Sequence, residues 1–253
     1  MNKYEKLVGK LEALDKIQIA TSAFIDEPLL IEHMDRDDLD IIIFDMEHGR
    51  FNTESLRNNL YACRLLNIPS VVRVQDTGYH LISKTIDAGA DGIMLPRTES
   101  LEQLRTAADA IRFFPAGKKG YGGPMQFRKG ETFEGFQSGR FLFPQIESPK
   151  GIKNLPVMLR EYGWLISGIV VGPYDLSVML GTPGDLHTAA MLSAFEQIIG
   201  VCREYKKSSG IYCRNSEDAA LYKKMGANIF WLSTDLNIYM DGYTMAFDAL
   251  SKI

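Results

Sequence analysis

The sequence contains few cysteines, no excess of positive charge and no long apolar run. Its three cysteines, Cys63, Cys202 and Cys213, show no CxxC spacing and are odd in number, which disfavours a disulfide framework and a zinc cluster. The formal net charge is -4, which disfavours a nucleic-acid partner. The amino terminus is charged and lacks a signal-peptide core, and no later segment approaches a membrane span. We therefore expect a cytoplasmic protein that binds neither nucleic acid nor membrane.

Apolar runs rich in Ile and Val recur along the 253 residues, separated by amphipathic helical patterns. Near-continuous apolar character without alternation is typical of parallel strands that are covered on both sides. We predict eight such strands: Ile17–Ala23, Asp40–Asp45, Ser70–Val74, Gly92–Pro96, Phe141–Glu147, Gly168–Gly172, Gly210–Cys213 and Ile229–Ser233. A doubly wound open sheet shares this local pattern, but eight βα units in a chain of this length fit the (β/α)8 TIM barrel best. We predict one TIM-barrel domain spanning residues 1–253.

One stretch, from Pro115 to Arg140, interrupts this regular alternation and is rich in glycine, lysine and aromatic residues. Long loops in compact domains are usually functional or mobile. Because the stretch follows the fourth predicted strand, we expect it to overhang the catalytic face of the barrel. The alternative is a partly ordered surface excursion.

Two acidic residues stand where a predicted strand stops and a helix begins. Glu147 ends the fifth strand and Asp175 follows the sixth, one α/β unit further along the chain. Two carboxylates at the mouth of a parallel barrel form a candidate site for a hard divalent cation. The alternative for Asp175 is the amino-terminal cap of a short helix, and for Glu147 a solvated position before a helix that starts at Ser148 and Pro149.

Polar residues also close the second and third predicted strands. Asp45, Glu47 and His48 precede Gly49, and a histidine at a barrel mouth can transfer protons near neutral pH. Arg73 lies within an apolar strand, where its charge must be paired or must meet an anion. An ion pair with Asp45 or Glu47 and a role in binding a keto acid or enolate are both open, and the two are compatible.

Taken together, these motifs resemble the HpcH/HpaI class II aldolases, which include 4-hydroxy-2-oxoheptanedioate and 2-keto-3-deoxy sugar acid aldolases. The combination is far more specific than any single motif, and it covers roughly positions 15 to 240 in the expected order. The motifs are Asp45-Met-Glu-His48-Gly, Val71-Val-Arg73, Ile86-Asp87-Ala-Gly-Ala-Asp-Gly-Ile-Met-Leu-Pro96, Phe114-Pro-Ala-Gly117, Gln145-Ile-Glu147-Ser and Gly172-Pro-Tyr-Asp175-Leu-Ser.

The resemblance implies a divalent metal, usually magnesium, manganese or cobalt, bound by Glu147 and Asp175. It implies that pyruvate chelates this metal and that a few further residues bind the substrate, namely Gln145, Gly172, Pro173, Tyr174 and Asp175. Three catalytic residues follow in the same way: Arg73 steadies the enolate oxygen, His48 is the acid/base group and Asp87 orients His48. The implied assembly is a homo-oligomer, a hexamer built from dimers, with the carboxyl-terminal helix near Tyr239–Ile253 as an interface candidate.

The implied reaction cleaves a 4-hydroxy-2-keto acid between C3 and C4 into pyruvate, or a close analogue, and an aldehyde. No strand lysine near the mouth offers a Schiff base as an alternative. A citrate- or malyl-CoA-type lyase is a second reading, against which Glu47-His48-Gly49 argues. A catalytically reduced keto-acid-binding barrel is a third, but it would be expected to lack His48, Arg73, Glu147 or Asp175, and none is missing. Departures from the family at Arg97 and from Lys119 to Phe127 leave the aldehyde partner open.

Overall fold

The computed structural model describes residues 3–14 and 18–252, and in them eight parallel strands close into a barrel. The strands are β1 Gln18–Ala23, β2 Ile41–Asp45, β3 Ser70–Arg73, β4 Gly92–Leu95, β5 Phe141–Ile146, β6 Gly168–Val171, β7 Ser208–Cys213 and β8 Ile229–Thr234. Each strand pairs with the next in sequence, and β8 returns to β1. The predicted TIM barrel is confirmed, and the bounds of the predicted strands differ by two residues at most. Ile17, the first residue of the first predicted strand, lies outside the described residues.

Eleven α-helices lie in the described ranges and connect or flank the strands. They are α1 Lys3–Ala13, α2 Pro28–Met34, α3 Thr53–Leu66, α4 Tyr79–Ala88, α5 Leu101–Ile111, α6 Phe133–Gly139, α7 Pro149–Tyr162, α8 Pro173–Met179, α9 Ala189–Glu204, α10 Ser216–Met225 and α11 Asp235–Leu250. Capping side chains fix the first residues of several of these helices. Asn52 and Ser55 form a capping box at α3, and Ser100 and Gln103 form another at α5.

The core has an inner part and an outer part, as the continuous apolar strands require. Inside the barrel, the side chains of alternate strand residues such as Ile43, Val71 and Ile229 pack against one another. Leu7 and Leu11 of α1 join this inner cluster, so α1 closes the amino end of the barrel. The opposite, carboxyl end stays open. Larger clusters outside the barrel hold the helices against the strands, and the three cysteines are buried there as free thiols.

The stretch from Pro115 to Arg140 does not overhang the open end in this chain, so that prediction is wrong. Helix α5 runs back along the barrel before the stretch begins, which delivers it to the amino end. There Arg128 Nε donates to Asp91 Oδ1 over 2.8 Å, just before β4, and the Arg128 guanidinium lies 5.4 Å from the ring centroid of Tyr4 in α1. The prediction counted the stretch as a loop after a strand, whereas it is a loop after a helix.

Across residues 3–14 and 18–252, every helix is too short or too polar to cross a bilayer. The predicted cytoplasmic location stays a prediction.

Candidate active site

A cavity of about 240 Å³ opens at the carboxyl end of the barrel. Because the carboxyl ends of parallel strands meet at one edge, residues far apart in sequence converge there. Seven of the predicted site residues line the cavity: His48, Arg73, Gln145, Gly172, Pro173, Tyr174 and Asp175. The structure therefore brings together most of the residues on which the sequence-based hypothesis depends.

Arg73 reaches this cavity as a firmly held cation. Its Nε donates to Asp45 Oδ1 over 2.9 Å, its Nη2 contacts Asp45 Oδ2, and its Nη1 lies 3.5 Å from Glu47 Oε2. Burial opposes the charged form, but the hydrogen bonds and charge of Asp45 outweigh it and raise the pKa of Arg73. The guanidinium carbon also lies 5.5 Å from the ring centroid of Trp231. The ion-pair reading of Arg73 is correct, and its place on the cavity wall keeps the anion-binding reading open.

Glu147 is a buried carboxylate with no cation directly against it among the described residues, and it is 4% exposed. Its Oε1 accepts the backbone N–H of Arg97 over 2.7 Å, and its Oε2 accepts Gln145 Nε2 over 2.6 Å. Burial raises the pKa of Glu147 to about 7, and the nearby charges of Asp175 and Glu47 act in the same direction against the Arg97 amide. A positive charge bound beside a buried carboxyl group stabilises its ionised form and lowers its pKa.

Arg97 holds Glu147 through an unusual backbone conformation, with a φ of 45° in the left-handed region. Gln103 Nε2 donates to the Arg97 carbonyl over 2.9 Å, which ties this turn to the start of α5. The side chain of Arg97 is 57% exposed, and its Nη1 lies 2.6 Å from Glu47 Oε1. Glu47 is thus flanked by two guanidinium groups, those of Arg73 and Arg97.

The alternative readings of the two acids fail on geometry. Glu147 is buried rather than solvated, although α7 does begin with Ser148 as its cap and Pro149 in its first turn, as expected. Asp175 is not a cap, because α8 is capped by Gly172 and Asp175 lies in the first turn. A carboxylate in this turn is free to face the cavity that it lines.

Gly172 allows β6 to approach the buried acid closely. A Cβ atom at this position would lie 2.1 Å from Glu147 Oε2 and 2.4 Å from Gln145 Nε2, closer than any real contact. A side chain at Gly172 would therefore push both groups aside. Gln145 itself is 1% exposed, and its Oε1 has no hydrogen-bond partner in the described part of the chain, which leaves one acceptor at this point of the wall unsatisfied.

The residues around Glu147 fit a divalent cation of the magnesium class. Four carboxyl groups, those of Asp45, Glu47, Glu147 and Asp175, lie near two guanidinium groups, those of Arg73 and Arg97, so acids outnumber guanidinium groups at the mouth. In residues 3–14 and 18–252 no cluster of three acidic, histidine or cysteine side chains could enclose an ion. Magnesium-type ions nevertheless use one or two carboxylates and keep water or substrate oxygens for the remaining positions. Glu147 and Asp175 match that requirement.

His48 stands at the rim of the same cavity, with a side chain that is 57% exposed. Asp45 Oδ1 accepts the backbone N–H groups of Glu47 and His48 over 2.9 and 3.2 Å, which fixes the turn. A Cβ at Gly49 would lie 2.0 Å from the Asp45 carbonyl oxygen, so this turn needs glycine. The imidazole Nε2 lies 3.8 Å from Glu47 Oε2, so the ring is accessible to a ligand and close to an acid.

A family model described as HpcH/HpaI aldolase/citrate lyase matches residues 23–241, a span that includes every predicted site residue. The chain belongs to this family. A 5-keto-4-deoxy-D-glucarate aldolase of Klebsiella pneumoniae is 26% identical over 244 residues, covering 95% of this chain and 94% of the relative. A 4-hydroxy-2-oxo-heptane-1,7-dioate aldolase of Escherichia coli is 28% identical, covering 79% of this chain and 77% of the relative.

The fold agrees with solved structures as well. A HpcH/HpaI aldolase/citrate lyase family protein from Burkholderia cenocepacia superimposes with a TM-score of 0.88 at 21% identity, covering 97% of this chain and 99% of the other. The predicted family is therefore confirmed, and with it the prediction of a carbon–carbon lyase of the aldolase type.

Two predicted site residues do not line the cavity within one chain: Glu147, which is buried against the lining residue Gln145, and Asp87. Asp87 lies near the end of α4, and its Oδ1 accepts hydrogen bonds from Lys119 Nζ and Gln126 Nε2, both over 2.7 Å. Helix α4 ends at the amino end of the barrel, because β4 starts there. The predicted role of Asp87 in orienting His48 stays a prediction that the contacts of a single chain do not supply.

Four residues of the cavity wall, three of them aromatic, were not predicted from the sequence. Phe24, Tyr212, Trp231 and Thr234 line the cavity, each at or near the end of a strand. Trp231 Nε1 donates to Ser22 Oγ over 2.7 Å, and its ring meets that of Tyr212 edge-on at 5.4 Å. In sequence these residues look like ordinary apolar core. Their position within two residues of a strand end was the one available signal.

Proposed function

We propose that this protein is a divalent-metal-dependent aldolase that reversibly cleaves a 4-hydroxy-2-keto acid into pyruvate, or a close analogue, and an aldehyde. One observation carries the proposal. The buried carboxylate of Glu147 lies against the lining residue Gln145 and within electrostatic range of Asp175 and Arg73, and these two residues line one cavity together with the accessible imidazole of His48. These are the groups that breaking a carbon–carbon bond beside a keto group requires, and the aldolase relatives support the reaction class.

Cleavage between C3 and C4 leaves a pyruvate enolate, whose negative charge must be stabilised. Glu147 and Asp175 would hold magnesium, manganese or cobalt, and the bound ion would supply Lewis-acid chemistry toward the keto acid. The Arg73 guanidinium is fixed by Asp45 before substrate arrives, so it offers its charge to the enolate oxygen without reorganisation. Gln145 and the chain from Gly172 to Asp175 form the wall against which the keto acid binds.

His48 takes the proton of the C4 hydroxyl group as the C3–C4 bond breaks and gives it back in the reverse direction, and a proton from solvent is added at C3 of the enolate to complete pyruvate. A histidine titrates in the range where such a transfer is efficient. Its exposed ring suits a group that contacts the outer, aldehyde half of the substrate. The exposed guanidinium of Arg97 lies beside the same rim through its contact with Glu47.

The test is a pyruvate-release screen over a panel of 4-hydroxy-2-keto acids with added magnesium, manganese or cobalt. We expect cleavage that is lost on chelation and restored by one of these ions. Full activity after exhaustive removal of metal would exclude the proposed chemistry. Cleavage of a CoA ester, with no cleavage of any free keto acid, would favour the citrate- or malyl-CoA-type alternative.

We also propose that the chain acts as one barrel domain and assembles into a homo-oligomer, a hexamer by family resemblance, through helix α11. No residue of α11 is buried, although the helix carries several large apolar side chains. Tyr239, Tyr243 and Phe247 stack along one face, with ring centroids 6.1 and 4.4 Å apart. Such a face is stable in water when another surface covers it.

A groove of about 540 Å³ lies beside the first turns of α11, between β8, β1 and α2. Its walls include Ile19, Leu30 and Leu232, which the eighth helix of a TIM barrel ordinarily covers, yet α11 contributes only its first turns, at Asp235, Ile238 and Tyr239. Most of helix α11 is not covered by its own chain, and the groove beside its first turns is not filled by a helix. Both features are explained if two copies of the chain exchange their α11 helices.

Light scattering after size exclusion tests the assembly. Tyr243→Glu with Phe247→Glu should lower the measured mass toward that of one 28.4 kDa chain, because charges on the stacked face oppose its burial. An exposed charge change elsewhere, Glu196→Lys on α9, serves as the control. A wild-type protein of monomer mass, or a double variant of unchanged mass, would contradict the proposal.

A further inference from the structure

A second cavity, of about 320 Å³, lies at the amino end of the barrel, opposite the proposed active site. Its walls come from the end of α1, the end of α5 and the segments that lead into β5, β6 and β7. The charged residues and the one exposed aromatic residue on these walls are Glu12, Arg112, Arg140, Lys206, Lys207 and Trp164. None of them takes part in the mechanism proposed above.

Arg112 is the unusual residue of this cavity, because its guanidinium is buried and pairs with no carboxylate of the described residues. The residue is 6% exposed, its Nη2 donates to the carbonyl oxygen of Arg140 over 2.8 Å, and its Nη1 has no hydrogen-bond partner in residues 3–14 and 18–252. Burial, together with the nearby charge of Arg140, lowers the pKa of Arg112 to about 10. The group is still cationic at neutral pH, so its burial is costly unless something compensates it.

Two neighbouring guanidinium groups show what compensation looks like in this region. Arg140 forms two hydrogen bonds with Glu131, of 2.6 and 2.8 Å, and Arg128 is paired with Asp91. Arg112 lies beside them and has no such acid. The fold therefore supplies carboxylates for the buried Arg140 and the half-buried Arg128, and it leaves Arg112 on the wall of the cavity without one among the described residues.

Apart from Glu12, the remaining charged residues of the walls are cations. Lys206 is exposed at the opening, and Lys207 Nζ donates to the Ile166 carbonyl oxygen over 2.9 Å. Neither lysine forms an ion pair within the described ranges, and Glu12 is the one acid of the wall. Since Arg140 is neutralised by Glu131, three cations face one acid here, an excess of two positive charges.

We propose that this cavity binds a small oxyanion, either inorganic phosphate or the phosphate or carboxylate groups of a metabolite. The guanidinium of Arg112 belongs to the cavity wall and has one buried donor without a partner among the described residues, and charge-assisted hydrogen bonds of this kind are the strong ones. Lys206 adds an exposed positive charge to the same wall. A dianion matches both the excess charge and the size of the cavity.

The experiment measures thermal unfolding of the magnesium-loaded protein against inorganic phosphate, with sodium chloride adjusted to constant ionic strength, and against succinate in a second series. A ligand that binds the folded chain raises the midpoint in a saturable way. We expect this rise in the wild type and its loss in Arg112→Met. Arg105→Met is the matched control, because Arg105 is an exposed residue of α5 and its loss changes the net charge equally.

Without ligand, Arg112→Met should unfold at a higher temperature than the wild type, because an unpaired buried charge is replaced by an apolar chain of similar length. Lys206→Met should weaken binding roughly 10-fold while leaving the fold intact, since the lysine is exposed. This second variant keeps the test valid if Arg112→Met does not fold. A stronger response to phosphate than to succinate identifies a phosphate site, and the reverse identifies a carboxylate site.

Two results would overturn the proposal. The first is a wild-type midpoint that responds to phosphate and succinate no more than to sodium chloride, which would mean that water alone compensates Arg112. The second is a response of equal size in Arg112→Met, Lys206→Met and the wild type, which would place anion binding elsewhere, for example at Arg73.

Discussion

The two ends of this barrel carry uncompensated charges of opposite sign. At the carboxyl end, four carboxylates face two guanidinium groups, and Glu147 in particular is buried with a raised pKa. At the amino end, Arg112 is buried without an acid and two lysines stand nearby. Uncompensated buried charges lower the stability of the folded chain. A ligand of opposite charge would offset this loss, so the sign of the excess at each end indicates the charge of its ligand.

The two ends also differ in how each buried guanidinium group is held. Arg73 and Arg112 are both buried guanidinium groups at the edge of a cavity. Arg73 is held by Asp45 and Glu47, so its position is set before any ligand binds. Arg112 has one donor without a partner and no paired acid among the described residues, so its charge can still pair with a bound anion. The first arrangement suits catalysis, where preorganisation matters, and the second suits binding.

The largest expected effect comes from removing the negative charge at the mouth. Glu147→Ala or Asp175→Ala should weaken metal binding and lower cleavage by roughly 10³-fold or more, the worth of several kcal/mol of Lewis-acid stabilisation. Metal titration by calorimetry and a pyruvate-release assay measure the two effects. Glu196→Ala, an exposed acid on α9, is the control. Normal metal affinity in both site variants would show that the excess charge at the mouth has another purpose.

The next effect concerns the proton at the rim. His48→Ala should lower kcat by roughly 10²–10⁴-fold, the usual contribution of a positioned acid/base group, with a much smaller change in metal affinity. His80→Ala, also exposed but in α4, should leave both quantities unchanged. An unaltered kcat in His48→Ala would exclude the imidazole as the proton carrier.

A smaller effect tests whether the anchored guanidinium stabilises the enolate. Arg73→Lys keeps the charge but loses the two-point contact with Asp45, so cleavage should fall roughly 10–100-fold. Exchange of the pyruvate methyl protons in deuterated water should fall in parallel, because that exchange forms the enolate without an aldehyde. Lys119→Met, at the amino end, should leave this exchange within a few-fold of wild type. An equal loss of methyl-proton exchange in Arg73→Lys and Lys119→Met would contradict the assignment of enolate stabilisation to the carboxyl end of the barrel.

The smallest effect separates the backbone of Arg97 from its side chain. Arg97→Gly keeps the N–H that Glu147 accepts and suits the left-handed conformation, so metal affinity should stay within about 3-fold of wild type. The unfolding midpoint should stay level or rise as backbone strain is relieved. A large loss of metal affinity would show that the guanidinium on Glu47, rather than the amide, sustains the site. Arg97→Ala, which retains the strain, provides the comparison for stability.

Sequence reasoning succeeded where the signal was local. Apolar runs without alternation identified all eight strands, and strand-end positions together with the family resemblance predicted His48, Arg73, Gln145 and the Gly172–Asp175 segment, which the fold places around one cavity. It failed where the path of the chain mattered, as with the stretch from Pro115 to Arg140, whose side of the barrel depends on whether a strand or a helix precedes it. It also missed Trp231 and Tyr212. An aromatic residue that points into the barrel has the same sequence pattern whether it packs in the core or lines a cavity.

By itself, the sequence determined the class of fold and the chemical groups of the mouth, because strand patterns and strand-end residues are set by neighbours along the chain. Only the tertiary structure decided which of those groups meet. Strand pairing joined Asp45 to Arg73, the loops after β2 and β4 joined Glu47 to Arg97, and Asp87 was left with Lys119 at the other end. Only the fold, likewise, could show that Arg112 is buried without an acid. Burial and pairing are properties of side chains brought together from distant strands, and no spacing along the chain encodes them directly.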